Sequence, residues 1–151
     1  MKKTLSILGL TALVLSSTVA CAVRDAQMFS DDTTAVMVTR NPQIKTCYDD
    51  VLKTDAAAAG NVVVAFTVEK KTGAIIDPQI VPERTTAPEA LGQCVLGSIS
   101  GLALDPPDQN EGAGVFTWTF IVNAPGDGTV EAAPAEAAPA EAAPAEAAPA
   151  G

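Results

Sequence analysis

The sequence predicts an α+β domain, a three-stranded antiparallel sheet with two helices on one face, in the order α-β-β-α-β. Three observations carry this. Residues 61–69 and 115–123 alternate apolar side chains at period 2, as half-buried strands do. Two other stretches place apolar residues at helical spacing, and each carries one cysteine on its stripe. Between the first strand and its neighbour, Lys70-Lys71-Thr72-Gly73 has the composition of a tight turn. Runs of strand and helix that do not alternate regularly pack as an antiparallel sheet with the helices gathered on one face.

The first helix is expected to open at Asn41-Pro42, with Asn41 as N-cap and Pro42 at the first helical position, where a missing amide costs nothing. Its stripe is Ile44, Cys47, Tyr48, Val51 and Leu52, and Gly60 is a suitable stop. Strand one puts Val62, Val64, Phe66 and Val68 on one face and Val63, Ala65, Thr67 and Glu69 on the other. Residues 74–81 form its hairpin partner, and Pro78 assigns that strand to an edge or a bulge. Thr86-Ala87-Pro88-Glu89 has the spacing of a capping box and starts the second helix. Leu91, Cys94, Val95, Ile99 and Leu102 make its stripe, Gly92, Gly97 and Gly101 weaken it, and Asp105-Pro106-Pro107 ends it. The last strand alternates Phe116, Trp118, Phe120 and Val122 with Val115, Thr117, Thr119 and Ile121, and the aromatic face is the expected core.

These elements occupy residues 40–124. Ahead of them, residues 1–20 have the plan of an export signal: Lys2 and Lys3, a short apolar run from Leu5 to Leu15, then Thr18-Val19-Ala20. Cleavage before Cys21 gives a lipid-modified cysteine, as in a bacterial lipoprotein signal, and Thr18 stands where such signals usually carry Leu. Cleavage after Ala22, with Ala20-Cys21-Ala22 as the A-x-A site, gives plain secretion. The chain holds three cysteines, an odd number for an exported protein. Lipidation of Cys21 leaves Cys47 and Cys94 as a pair that would staple the two helices, against the alternative of two unrelated buried thiols. Residues 21–39 read as a flexible tether without sustained period. Residues 125–151 read as a disordered acidic tail, in which Glu-Ala-Ala-Pro-Ala occurs four times from Glu131 and a proline every fifth residue prevents a stable helix.

Composition narrows the chemistry. Loss of Lys2 and Lys3 with the signal leaves seven of the nine basic residues against eighteen acidic ones, a formal charge of −11, which disfavours nucleic acid and anionic membrane surfaces. There is no histidine, so Ser98 and Ser100 lack the commonest base and a zinc site its commonest ligand. Asp31-Asp32 and Asp49-Asp50 lack the spacing of a calcium loop and read as solvated linker and helix face. Lys70-Lys71 reads as an exposed turn before an anion site, and Phe116, Trp118 and Phe120 as core before a ligand platform. Cys47-Tyr48 has no C-x-x-C partner that would suggest redox work. No catalytic, cofactor-binding or metal-ligating set is expected, and no cofactor. The apolar run at the N-terminus is too short to span a bilayer.

Ile44-Lys45-Thr46-Cys47-Tyr48, residues 60–68, Gly73, Gln93-Cys94-Val95 and residues 116–120 together resemble the AgmX/PglI C-terminal domain of bacterial envelope proteins, which looks like the periplasmic C-terminal domain of TonB. The chain departs from that pattern at residues 101–107, where the family carries an aromatic-rich end to the second helix. The resemblance implies a TonB-like fold and a non-enzymatic role in protein–protein interaction, in a motility or envelope assembly. The partner would be another envelope protein, docked on an edge strand of the TonB-like sheet able to accept a partner strand. With Ala22-Val23 after Cys21 and no Asp directly following, the signal resembles those of outer-membrane lipoproteins facing the periplasm; secreted or soluble periplasmic protein is the alternative. TonB-like energy transduction is not expected, since no membrane helix is at hand to couple to a motor. A purely structural envelope spacer is the other reading of the chain.

Overall fold

A computed structural model describes residues 23–124 and 126–137. The chain is α+β, with the elements α1 (Ala26–Val38), α2 (Asn41–Leu52), β1 (Gly60–Val68), β2 (Ile75–Ile80), α3 (Glu89–Ile99), β3 (Gly112–Ala124) and β4 (Asp127–Ala137). The strands form one antiparallel sheet in the order β2-β1-β3-β4. The expected sheet and helix pair are therefore enlarged by one strand and one helix.

The alternation in the sequence is the alternation of the sheet. Val62, Val64, Phe66 and Val68 of β1 and Phe116, Trp118 and Phe120 of β3 are all buried in a single core, with Val62 opposite Trp118 and Val64 opposite Phe116. The helices lie over this face. From α2 come Ile44, Tyr48 and Leu52, and from α3 Leu91, Val95 and Ile99. Tyr48 meets Phe120 edge-on at 5.0 Å between ring centroids, and Phe116 lies 4.4 Å from Trp118, arrangements that suit the ring quadrupoles. Pro78 sits on the edge strand β2, and the pairing with β1 shifts between Ala65 and Thr67, opposite Asp77-Pro78. A residue without an amide can stay in a sheet at such a bulge.

The flank before residue 40 is not a tether where it is described. Asp25 caps α1, its Oδ1 accepting from the Met28 amide at 2.8 Å, and Phe29, Thr33 and Met37 line the buried face. That stripe runs strictly i, i+4, i+8 and includes a threonine, so it is narrower than the apolar face expected of a surface helix. The flank after residue 124 is likewise not all tail. Residues 127–137, which include the first Glu-Ala-Ala-Pro-Ala unit and the start of the second, pair with β3 as β4. Ala124 pairs with Asp127, and Gly126 takes φ +84, a conformation glycine adopts freely. Pro134 falls where the β3–β4 register shifts, between the pairs Thr117–Ala133 and Val115–Glu136. The proline that forbids a helix is thus accommodated by the same device as Pro78.

Two expected caps are also replaced. Asn41 lies inside α2, and its Oδ1 accepts from Trp118 Nε1 at 3.1 Å instead of capping. Thr86 Oγ1 accepts from the Asn61 amide at 2.9 Å, and α3 begins at Glu89 without a side-chain cap. In both cases a distant strand claims the side chain. Gly60 does not stop α2, which ends at Leu52; it opens β1 at φ +123, where a Cβ would lie 2.9 Å from the Ala87 amide.

Candidate interaction surface

The sheet leaves one face without helices. Val63, Ala65 and Thr67 of β1 and Val115, Thr117, Thr119 and Ile121 of β3 alternate with the core residues and so point away from α1, α2 and α3. The face is apolar or β-branched; Val63 is itself buried, Ala65, Thr67, Val115, Thr117 and Thr119 are half-buried, and Ile121 is 42 % exposed. Arg84, in the turn after β2, comes within 3.7 Å of Glu136 on β4, so a solvent-exposed ion pair bridges segments from opposite edges of the sheet; exposed pairs of this kind add little stability. An open cleft of ≈ 280 Å³ lies at the β2 bulge between Thr67, Asp77, Gln79 and Val115. Asp77 there has φ +51, a conformation that costs an ordinary residue free energy. A second groove of ≈ 400 Å³ runs between the end of β2 and α3, beside Ile80, Pro82, Pro88 and Gly92.

Both sheet edges are modified against pairing. On β2 the bulge and Pro78 interrupt the row of donors. On β4, α1 takes the place of a further strand: Ala135 donates its amide to Thr34 Oγ1 at 2.8 Å, and its carbonyl accepts from Ser30 Oγ. Ser30 and Thr34 lie one helical turn apart on α1, which brings two hydroxyls to the amide and the carbonyl of one residue. No apolar period in the sequence announces this contact.

Cys47 and Cys94 form a disulfide with a Cα–Cα distance of 5.8 Å. It joins α2 to α3, and Cys94 is buried while Cys47 is half-buried. Cys21, the candidate lipidation site, lies outside the described residues, as do the signal segment 1–20 and the tail beyond residue 137.

Arg24, also unmarked by any motif, anchors the N-terminal segment to the far side of the domain. Its side chain is 2 % exposed; Nε donates to Asp32 Oδ2 at 2.5 Å, Nη2 donates to the Pro106 carbonyl at 2.8 Å, and Nη1 lies 3.7 Å from Asp108 Oδ2. Asp108 in turn receives the Lys71 amide at its carbonyl and the Asn110 amide at Oδ1. Asp31-Asp32, read as solvated linker, is therefore helical: Asp32 serves Arg24 and Asp31 accepts from Gln27.

The remaining candidates are placed as follows. Asp49 pairs with Lys45, and Asp50 with Lys53 at 2.6 Å, along the exposed side of α2. Ser98 Oγ donates to the Cys94 carbonyl at 2.7 Å. Lys71 takes φ +68 in the β1–β2 turn. Phe116, Trp118 and Phe120 are core. Tyr48 is fully buried with its hydroxyl donating to the Ala58 carbonyl at 2.9 Å, and burial pushes its pKa above the ordinary tyrosine value. Among the described residues no group of His, Cys, Asp and Glu could hold a metal ion, and no helix is long and apolar enough to cross a membrane. Comparison of the chain with protein-family models, with curated proteins and with solved structures finds no match.

Proposed function

We propose that this chain is a non-enzymatic lipoprotein of the bacterial envelope, anchored through Cys21 on the periplasmic side of the outer membrane, whose domain docks another envelope protein. The observation that carries the docking reading is the helix-free face of the sheet, a β-branched surface centred on Thr117, Thr119 and the exposed Ile121. Exposed apolar side chains on a face that no helix covers mark protein interaction sites. The modified edges of β2 and β4 favour docking on the face over addition of a partner strand. The disulfide supports an oxidising compartment. Its placement on two helices that pack over the valine-rich β1 and the aromatic β3 fits the resemblance to the AgmX/PglI and TonB C-terminal domains.

Arg24 bears on the anchor. It stands three residues after Cys21, and three extended residues span about 10 Å at most. A lipid on Cys21 would therefore hold the domain close to the bilayer and in a restricted orientation, with the Arg24 side of α1 nearest the membrane. The test is affinity capture after crosslinking in envelopes, comparing the native chain with Thr119→Lys and Ile121→Lys. Recovery of a stoichiometric partner that both substitutions remove supports docking on this face. A native chain that recovers none, or a partner indifferent to both substitutions, contradicts it.

A further inference from the structure

The β4 strand is made from a sequence that recurs beyond it. Residues 131–137 read Glu-Ala-Ala-Pro-Ala-Glu-Ala, and the same seven residues recur at 136–142 and again at 141–147. We infer that the seat formed by β3 and α1 is a binding site for this seven-residue frame, and that residues 136–142 and 141–147 of the same chain are alternative occupants of it.

The contacts of the seat support this one by one. Ala132 pairs with Trp118 and Ala133 with Thr117; the bulge opposite Phe116 takes Pro134 and Ala135. Proline suits the bulge because it has no amide to leave unpaired. Ala135 is 4 % exposed beneath α1, so the site admits a small side chain only, and Thr34 and Ser30 hold that residue by its backbone. Glu136 faces Arg84. Each requirement is for a backbone group or for a residue type that returns five positions later: Ala140 and Ala145 correspond to Ala135, and Glu141 and Glu146 to Glu136.

The strand as a whole cannot slide, because residues 127–130 lie outside the repeat. A five-residue slide would bring Ala133 to the place of Gly128, where a Cβ lies 2.3 Å from Tyr48 Cε1. Replacement of the frame alone leaves residues 127–130 paired and loops out 131–135. Closure of so short a loop opposes the exchange, and a second added repeat increases that cost slowly. The first frame is therefore preferred in the native chain, and the later frames fill the seat when the first is damaged.

Substitution of Ala135 by arginine damages the first frame only. In a chain ending at Ala137, Ala135→Arg should lower the melting temperature roughly twice as much as it does in the full chain, or more. The full chain carrying Ala135→Arg, Ala140→Arg and Ala145→Arg should lose that protection. Equal losses in the short and full chains, or a triple variant as stable as the single one, would overturn the inference. If the short variant fails to fold, the same comparison is read between the full-chain single and triple variants. Ser30→Cys with Ala140→Cys in the full-chain Ala135→Arg background gives a second readout: a disulfide between positions 30 and 140 within one chain is expected, and its absence contradicts the seating of the second frame. Protection that grows with protein concentration, or a link between two chains, would place the frame of a second copy in the seat and refute the same-chain assignment.

Discussion

Gly128 passes directly under the ring of Tyr48: a Cβ at position 128 would stand 2.3 Å from Tyr48 Cε1 and 2.7 Å from its hydroxyl oxygen. The ring cannot easily yield. Its hydroxyl is held by the Ala58 carbonyl at 2.9 Å and its ring packs against Phe120 in a T-shaped pair. Gly128→Ala should therefore destabilise the domain by about 1–3 kcal/mol, the range for overpacking a filled core. Urea unfolding measures this, and an unchanged midpoint would show that β4 is not clamped by α2.

Tyr48 also sets an alkaline limit. Its pKa in the folded chain is raised by burial, so the folded state holds that proton more tightly than the unfolded state does. The associated stability is complete below the unfolded value, about 10, and is lost as pH rises through the folded value. Stability measured from pH 8 to pH 11 should fall more steeply above pH 10 in the native chain than in Tyr48→Phe. Parallel curves for the two chains would refute the assignment.

Reduction of the Cys47–Cys94 bridge should cost about 4 kcal/mol, the chain-entropy value for a sequence separation of 47 residues. For a core of this size that is a large share of the total stability. Cys47→Ser with Cys94→Ser should melt well below the native chain, and reductant should lower the native chain to a similar point while leaving the double variant unmoved. A native chain insensitive to reductant would show that the bridge is not closed in solution.

The repeats make a prediction about length. Deletion of residues 136–140 leaves an identical seven-residue frame after Val130, so thermal stability should stay within about 0.5 kcal/mol of the native chain. A chain that stops after Ala137 should also fold. One that stops after Val130 lacks the Ala135 peptide held by Ser30 and Thr34, and should lose α1 helicity and cooperative melting. Circular dichroism distinguishes these cases, and equal helicity in the chains ending at Val130 and at Ala137 would contradict the docking of α1 on β4.

What could be read from the sequence was what depends on side-chain period. Val62 to Val68 and Phe116 to Phe120 alternate cleanly because one face is core, and the α2 and α3 stripes are aliphatic or aromatic for the same reason. What could not be read depends on backbone contacts. α1 docks through Ser30 and Thr34 onto the backbone amide and carbonyl of Ala135, and a helix so held shows no broad apolar face. Residues 131–137 of β4 are alanine, glutamate and proline, all poor strand formers, and the strand's place is set by pairing with β3 and by small residues that fit beneath two helices. Asn41 and Thr86 matched cap positions locally, yet their oxygens serve Trp118 and Asn61 from strands 77 and 25 residues away. In the candidate surface, Thr117, Thr119 and Ile121 were legible as the face opposite the aromatics, whereas Arg24 has no periodic or motif signal at all.

The membrane-anchored reading rests on Cys21, and the intact mass of the mature protein purified from membranes tests it most directly. The account predicts a chain beginning at Cys21, heavier than the polypeptide by its attached fatty acids and two hydrogens lighter for the Cys47–Cys94 bridge. An unacylated chain beginning at Val23 would contradict the anchor and make the domain a secreted or soluble periplasmic protein.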